Sequence, residues 1–210
     1  MSLEEIRAAV IDGELDSVAS LVQSELDAGT SADIILKDGF MAAMKEVGDQ
    51  FQSGDIYTPE MLLSAKTMKA GVAVLKPHLV NTGVRATGRV VIGTVNGDIH
   101  DIGKNLVSMM LEGAGFEIVD LGVDVAPQKF VQAVTPNTDL VAMSALLTTT
   151  MGAMRETIDA LAAAGIRNHI RIMVGGAPVT QAYADAIKAD GYAADAGSAV
   201  KVAKELINRS

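Results

Sequence analysis

Arg89-Val90-Val91-Ile92-Gly93-Thr94-Val95 is followed, after Asn96, by Gly97-Asp98-Ile99-His100-Asp101-Ile102-Gly103. A β-branched run of that length reads as a buried parallel strand. The Asp-x-His-x-x-Gly segment then falls where a strand ends and a helix begins, at the ligand-bearing edge of an open α/β sheet. A histidine there, with a carboxylate two positions earlier and glycines on both flanks, can present one ring nitrogen outward while the carboxylate holds the other. Gly103 removes a side chain where a flat ring would approach the opening helix. A large metal-bearing cofactor needs that arrangement.

Downstream the pattern alternates between strand and helix. Strands are predicted at 90–95, 117–120, 140–144 and 170–174, with a weak one near 192–194. Helices are predicted around 103–113, 127–134, 151–164, 180–189 and 199–208. Five βα units imply a Rossmann-like, flavodoxin-like doubly wound domain over 85–210, its five-stranded parallel sheet covered on both faces.

Upstream, residues 81–88 lack periodicity and read as a linker, and 1–84 carry a helical period. A short helix near 3–11 precedes a stripe of Leu15, Val18, Leu21, Val22 and Leu26, stopped by Gly29. Ser31 caps the next helix, whose stripe is Ile35, Phe40, Met44, Val47 and Phe51, ending near Gly54. Thr58-Pro59-Glu60 is a start signal with Thr58 as the cap. Met61, Leu62, Ala65, Met68, Val72 and Leu75 stripe that helix as far as Pro77. The expected fold is therefore α/β with an all-α N-terminal part, a four-helix bundle ahead of the sheet domain.

Composition narrows the chemistry. Of 210 residues, 17 are basic and 26 acidic, and the formal charge of −9 is a poor field for a polyanion, so no nucleic-acid partner is expected. The absence of cysteine removes disulfides, thiolate metal sites and cysteine nucleophiles together. The acidic start is unlike a signal peptide, and no apolar run approaches the roughly 20 residues that cross a bilayer. A cytoplasmic protein with no membrane partner is expected. A phosphate loop fails, because five residues instead of four separate Gly97 from Gly103 and Lys104 is followed by Asn105 instead of Ser or Thr. A phosphorelay receiver fails because Ser144 stands where an acceptor aspartate is needed. His78 and His169 lack the company that His100 has and read as surface residues.

Residues 97–105, Gly-Asp-Ile-His-Asp-Ile-Gly-Lys-Asn, resemble the motif of cobalamin-binding proteins that hold cobalt through a protein histidine. The resemblance is to the small corrinoid proteins of methyltransferase systems for methanol, methylamines and aromatic methyl ethers, and to the cap and cobalamin module of cobalamin-dependent methionine synthase. It extends over residues 117–122, 144–150 and 174–177, and upstream over 47–51 and 57–61. It implies that His100 is the lower axial ligand to cobalt, with the cofactor base-off and histidine-on, and that Asp98 and Thr150 complete a relay. The resemblance also implies that Gly97, Ile99, Asp101 and Ile102 contact the cofactor. The displaced nucleotide tail is expected to pass Gly103, Ser144, Leu146, Thr148, Gly175, Gly176 and Ala177, where small residues and hydroxyls leave a groove. Phe51 and Met61 are expected on the upper face, in an apolar lid that keeps water from the metal. Methionine synthase has a larger apolar residue at the position of Thr58, which implies a less complete lid here.

The implied function is that of a methyl carrier, cycling between cob(I)alamin and methylcobalamin and not catalytic alone. A substrate-specific methyltransferase would load it from methanol, a methylamine, a betaine or an aromatic methyl ether. A second methyltransferase would unload it to tetrahydrofolate, coenzyme M or a similar acceptor, and a reductive activase would maintain it. The alternative is a cobalamin-dependent sensor, which needs an effector such as a DNA-binding helix-turn-helix ahead of the bundle.

Overall fold

A computed structural model of the chain describes residues 3–79 and 86–208. The expected boundary between 84 and 85, and the linker residues up to 85, lie outside the described residues. Those described group into two compact units, one helical and one α/β.

The helical unit comprises α1 (Leu3–Ile11), α2 (Leu15–Asp27), α3 (Ala32–Ile34), a π-helical segment (Ile35–Met41), α4 (Ala42–Ser53) and α5 (Thr58–Leu79). The middle three run on without a break, so they form one rod between α2 and α5. An ordinary α-helix was expected across 35–41. The π turn accommodates a five-residue step between Ile35 and Phe40, and both are fully buried. Phe40 occupies the space left by Gly71, where a Cβ would lie 2.2 Å from the ring.

Four further local expectations shift. Leu15 is exposed and Glu25 is buried on α2, Glu25 accepting a hydrogen bond of 2.8 Å from Thr30 Oγ1. Ser31 stands at the N-cap of α3 without a side-chain capping bond. Thr58 is the first helical residue instead of the cap; the Tyr57 N–H donates to Glu60 Oε2 at 2.6 Å, one half of a capping box placed one residue earlier. Pro77 lies inside the last turn of α5, which runs on to Leu79.

The α/β unit comprises β1 (Arg89–Thr94), α6 (Ile102–Gly113), β2 (Glu117–Asp120), α7 (Pro127–Ala133), β3 (Leu140–Ser144), α8 (Gly152–Ala163), a 3₁₀ turn (Arg167–His169), β4 (Arg171–Gly175), α9 (Gln181–Ala186), β5 (Gly191–Ala193) and α10 (Ala196–Asn208). All pairings are parallel and the strand order is β2-β1-β3-β4-β5. This is the flavodoxin-like order, and its direction reverses between β1 and β3. The last residues of four strands align as a row: Thr94, Ser144, Gly175 and Ala193. Val91, Val141, Ile172 and Val174 fill the sheet core, and Phe130 of α7 seats against Gly93, where a Cβ would approach to 2.9 Å.

Two helix limits depart from the periodic reading. α10 begins three residues early because Asp195 Oδ1 accepts from the Ser198 N–H at 2.7 Å, while Ser198 Oγ accepts from the Asp195 N–H. α9 stops at Ala186, short of the expected 189, and the chain turns there through Lys188 at φ +62°.

Candidate functional site

The strand order reverses between β1 and β3, and the carboxyl ends of strands at such a reversal are the position where doubly wound sheets bind ligands. Two loops meet there. The first follows β1, turns through Gly97 at φ +80° and enters α6; the second joins β3 to α8.

Asp98 ties the loops together. Its side chain has no solvent exposure, and five donors converge on it. Oδ1 accepts from the His100 N–H at 3.1 Å and from His100 Nδ1 at 2.8 Å. Oδ2 accepts from Thr150 Oγ1 at 2.7 Å, and from the backbone N–H groups of Leu146 at 2.7 Å and Leu147 at 3.3 Å. Burial alone would raise this carboxyl; the hydrogen bonds from Leu146, Thr150 and His100 outweigh it and hold the group well below the usual carboxylate range.

An ionised, acceptor-only carboxylate sets the tautomer of its neighbour. His100 must carry its proton on Nδ1 to donate to Asp98, which leaves the Nε2 lone pair pointing away from the pair. The imidazole is 46% exposed. Apolar side chains on the same two loops, at the start of α6 and after β2 face solvent: Ile99, Ile102, Val123, Leu146 and Leu147. An outward imidazole nitrogen on loops that also expose apolar side chains suits a flat, metal-bearing ring.

The loop is fixed from behind by residues to which sequence reasoning assigned no role. Thr94 Oγ1, fully buried, donates to the His100 carbonyl at 2.9 Å. Asp124, held at φ +51°, accepts from the Gly97 N–H at 2.7 Å, and its own N–H donates to the Asp98 carbonyl at 2.9 Å. Lys104 is buried and donates to the Asp120 carboxylate and to Asn105 Oδ1. One signal for Lys104 was readable: a cation in the first turn of a helix opposes the helix dipole and needs a partner.

The residues expected to line a groove divide. Gly103 is exposed, and a Cβ there would meet nothing within 4 Å. Ser144 is half-buried beside Gly175 in the aligned row, while Leu146, Thr148 and Ala177 are exposed and Thr150 is buried. Gly175 and Gly176 answer first to the backbone. A Cβ on Gly175 would lie 2.8 Å from the Ala193 carbonyl oxygen. Gly176, at φ +125°, would place one 1.9 Å from that of Ala145. Phe51 and Met61 lie in the helical unit, Phe51 half-buried on α4 and Met61 fully buried on α5. His78 and His169 are exposed, as their sequence context suggested. Among the described residues no helix is long and apolar enough to cross a membrane.

Comparison with known proteins bears on these observations. A B12 binding domain family matches residues 88–206, and a second B12 binding domain family matches residues 2–76. Dimethylamine corrinoid protein 2 of Methanosarcina acetivorans is 43% identical over 98% of this chain and 95% of its own length. Trimethylamine corrinoid protein 2 of the same organism is 48% identical over 87% of this chain and 85% of its own. Among solved structures, the methanol:cobalamin methyltransferase complex MtaBC from Methanosarcina barkeri superposes with a TM-score of 0.89 at 32% identity, over 99% of this chain and 80% of the matched one. A cobalamin-binding protein from Desulfitobacterium hafniense superposes with a TM-score of 0.80 at 31% identity, over 98% of both chains.

Proposed function

The chain belongs to the B12-binding corrinoid proteins of methyltransferase systems, and from that premise we propose that it carries a methyl group between a substrate-specific methyltransferase and a second methyltransferase, with His100 as the lower axial ligand of its corrinoid. The observation that carries this reading is the Asp98–His100 pair at the sheet's reversal point, with Nε2 turned outward.

The residues fit such a group. The loops that carry His100 and Leu146 expose aliphatic side chains, and Gly103 leaves open space at the start of α6. Ser144 in the aligned row and Thr148 in the loop after β3 offer hydroxyls for a polar tail. When bound, the corrinoid supplies a cobalt centre able to accept a methyl group from one substrate and give it to another. Asp98 keeps the proton on Nδ1, so the ring meets the metal through Nε2 in one orientation.

The helical unit has a protective role in this reading. Among the described residues it holds no cluster of metal-ligating groups, and its Phe51 and Met61 are the apolar side chains assigned to shield the metal from water. Donor and acceptor are bound by the partner methyltransferases. Relatives named for dimethylamine and trimethylamine make a methylamine the first donor to test, with a thiol or pterin as acceptor and a reductive activase to restore oxidised protein.

The test is electron paramagnetic resonance of the protein loaded with a cobalt(II) corrinoid that lacks benzimidazole. Nitrogen splitting is expected in the wild type and absent in His100→Ala. A wild-type spectrum without nitrogen splitting refutes the assignment of His100.

A further inference from the structure

Lys104 occupies a position that is unfavourable on two counts. Its ammonium lies in the first turn of α6, against the helix dipole, and its side chain is 2% exposed. It is accommodated because Nζ donates to two groups at once, the Asp120 carboxylate at the end of β2 and Asn105 Oδ1 at 2.7 Å.

Each partner passes the constraint onward. Asp120 Oδ1 also accepts from the Gly122 N–H at 2.8 Å; the Gly122 carbonyl accepts from the Thr94 N–H at 3.0 Å; and Thr94 Oγ1 donates to the His100 carbonyl at 2.9 Å. On the other side the ammonium takes Asn105 Oδ1, so the amide must present Nδ2 the opposite way. There it donates to Asp101 Oδ2 at 3.1 Å. One buried cation thus heads two hydrogen-bonded paths that end on residues 100 and 101. Asp98 grips the same segment from the third side, through the His100 N–H and ring.

We propose that Lys104 is a positioning residue for the axial ligand: through Asp120 and Asn105 it holds the His100–Asp101 segment so that Nε2 aims at the metal along one direction. The inference rests on the reading of His100 as that ligand. An apolar side chain of similar length would fill the site with less desolvation, yet it would orient neither the Asn105 amide nor the Asp120 carboxylate. The charge provides direction, and a ligand that binds end-on depends on direction.

The experiment loads the full chain, labelled with heavy-nitrogen histidine, with cob(II)alamin. The splitting pattern then reports the ratio of histidine-ligated to unligated cobalt, equilibrium dialysis reports binding, and thermal melting reports apo-protein stability. Lys104→Met removes the charge and keeps the length. Asp120→Asn removes the countercharge from a half-exposed position, and it decides the matter alone if Lys104→Met does not fold. Both variants are expected to retain cob(II)alamin at wild-type stoichiometry, with the ligated-to-unligated ratio lowered about tenfold, the lower end of what outer-shell partners contribute to metal binding. Variants with lowered melting temperatures but a wild-type ratio would show that Lys104 only supports the fold, and would overturn the proposal. A wild type without the histidine signal would instead overturn the reading of His100, and the proposal with it.

Discussion

The turn after β4 and the first turn of α6 each bring a glycine to the carboxyl edge of the sheet, for opposite reasons. Gly176 is required by the chain itself: at φ +125°, with the Ala145 carbonyl oxygen 1.9 Å from any added Cβ, no other residue fits even without a ligand. Gly103 is required by nothing in the described structure. Its Cβ would project into open space, and glycine in a helix is disfavoured relative to alanine by up to about 1 kcal/mol. At Gly103 the fold leaves room for a side chain that the sequence does not supply. A glycine the fold demands says nothing about a ligand, however close to the site it lies.

The contrast is broken most directly at Gly176. Gly176→Ala is expected to destabilise the apo-protein by on the order of 3 kcal/mol, through backbone strain and displacement of the β3 edge. Urea denaturation measures this, and a wild-type midpoint would show that the turn relaxes freely.

Asp98 serves fold and site together, and its expected effect is the next largest. Asp98→Asn weakens bonds from two loops and is expected to cost about 2 kcal/mol near neutral pH, the range for hydrogen bonds to a charged group. Its folded-state pKa is depressed, so its stabilisation is complete above the ordinary aspartate value and is lost as pH falls below about 4 toward the folded value. Denaturation across that range is expected to show a shallower acid slope in the variant; equal slopes would place the acid sensitivity elsewhere.

At Gly103 the two properties are expected to separate. Gly103→Leu leaves apo stability unchanged or higher while weakening corrinoid binding about tenfold, the equivalent of about 1.4 kcal/mol of steric cost. Equilibrium dialysis beside thermal melting tests the pair. Unaltered affinity would mean that the open space at α6 is not part of the site. The smallest effect is expected at Ser144, in the aligned row next to Gly175. Ser144→Ala is expected to lose about 1 kcal/mol of corrinoid affinity, one neutral hydrogen bond, with no change in melting temperature.

These outcomes follow the line between what was legible in the residues and what was not. Glu117–Asp120 and Leu140–Ser144 occur where the succession of short apolar runs and helical stretches places them, because both patterns are written in neighbouring residues. The Asp98–His100 pair was legible for the same reason, since a separation of two residues lets both side chains meet within one loop. The start of α10 was misplaced because Asp195 and Ser198 act as a reciprocal cap, and that box lies outside the apolar stripe on which the reading relied. The π turn at Ile35–Met41 was hidden because a five-residue apolar step looks like a lapse in an α-helical period.

By itself the sequence determined the alternation of strands and helices, the histidine at the end of the first strand, and the carboxylate beside it. All of these depend on residues within a few positions of one another. Tertiary structure alone decided that Lys104 is buried against Asp120, that Asp124 pins Gly97, and that Gly176 lies against Ala145. Those contacts join segments from different strands, and their partners are set by sheet register and crossover, which no local pattern encodes.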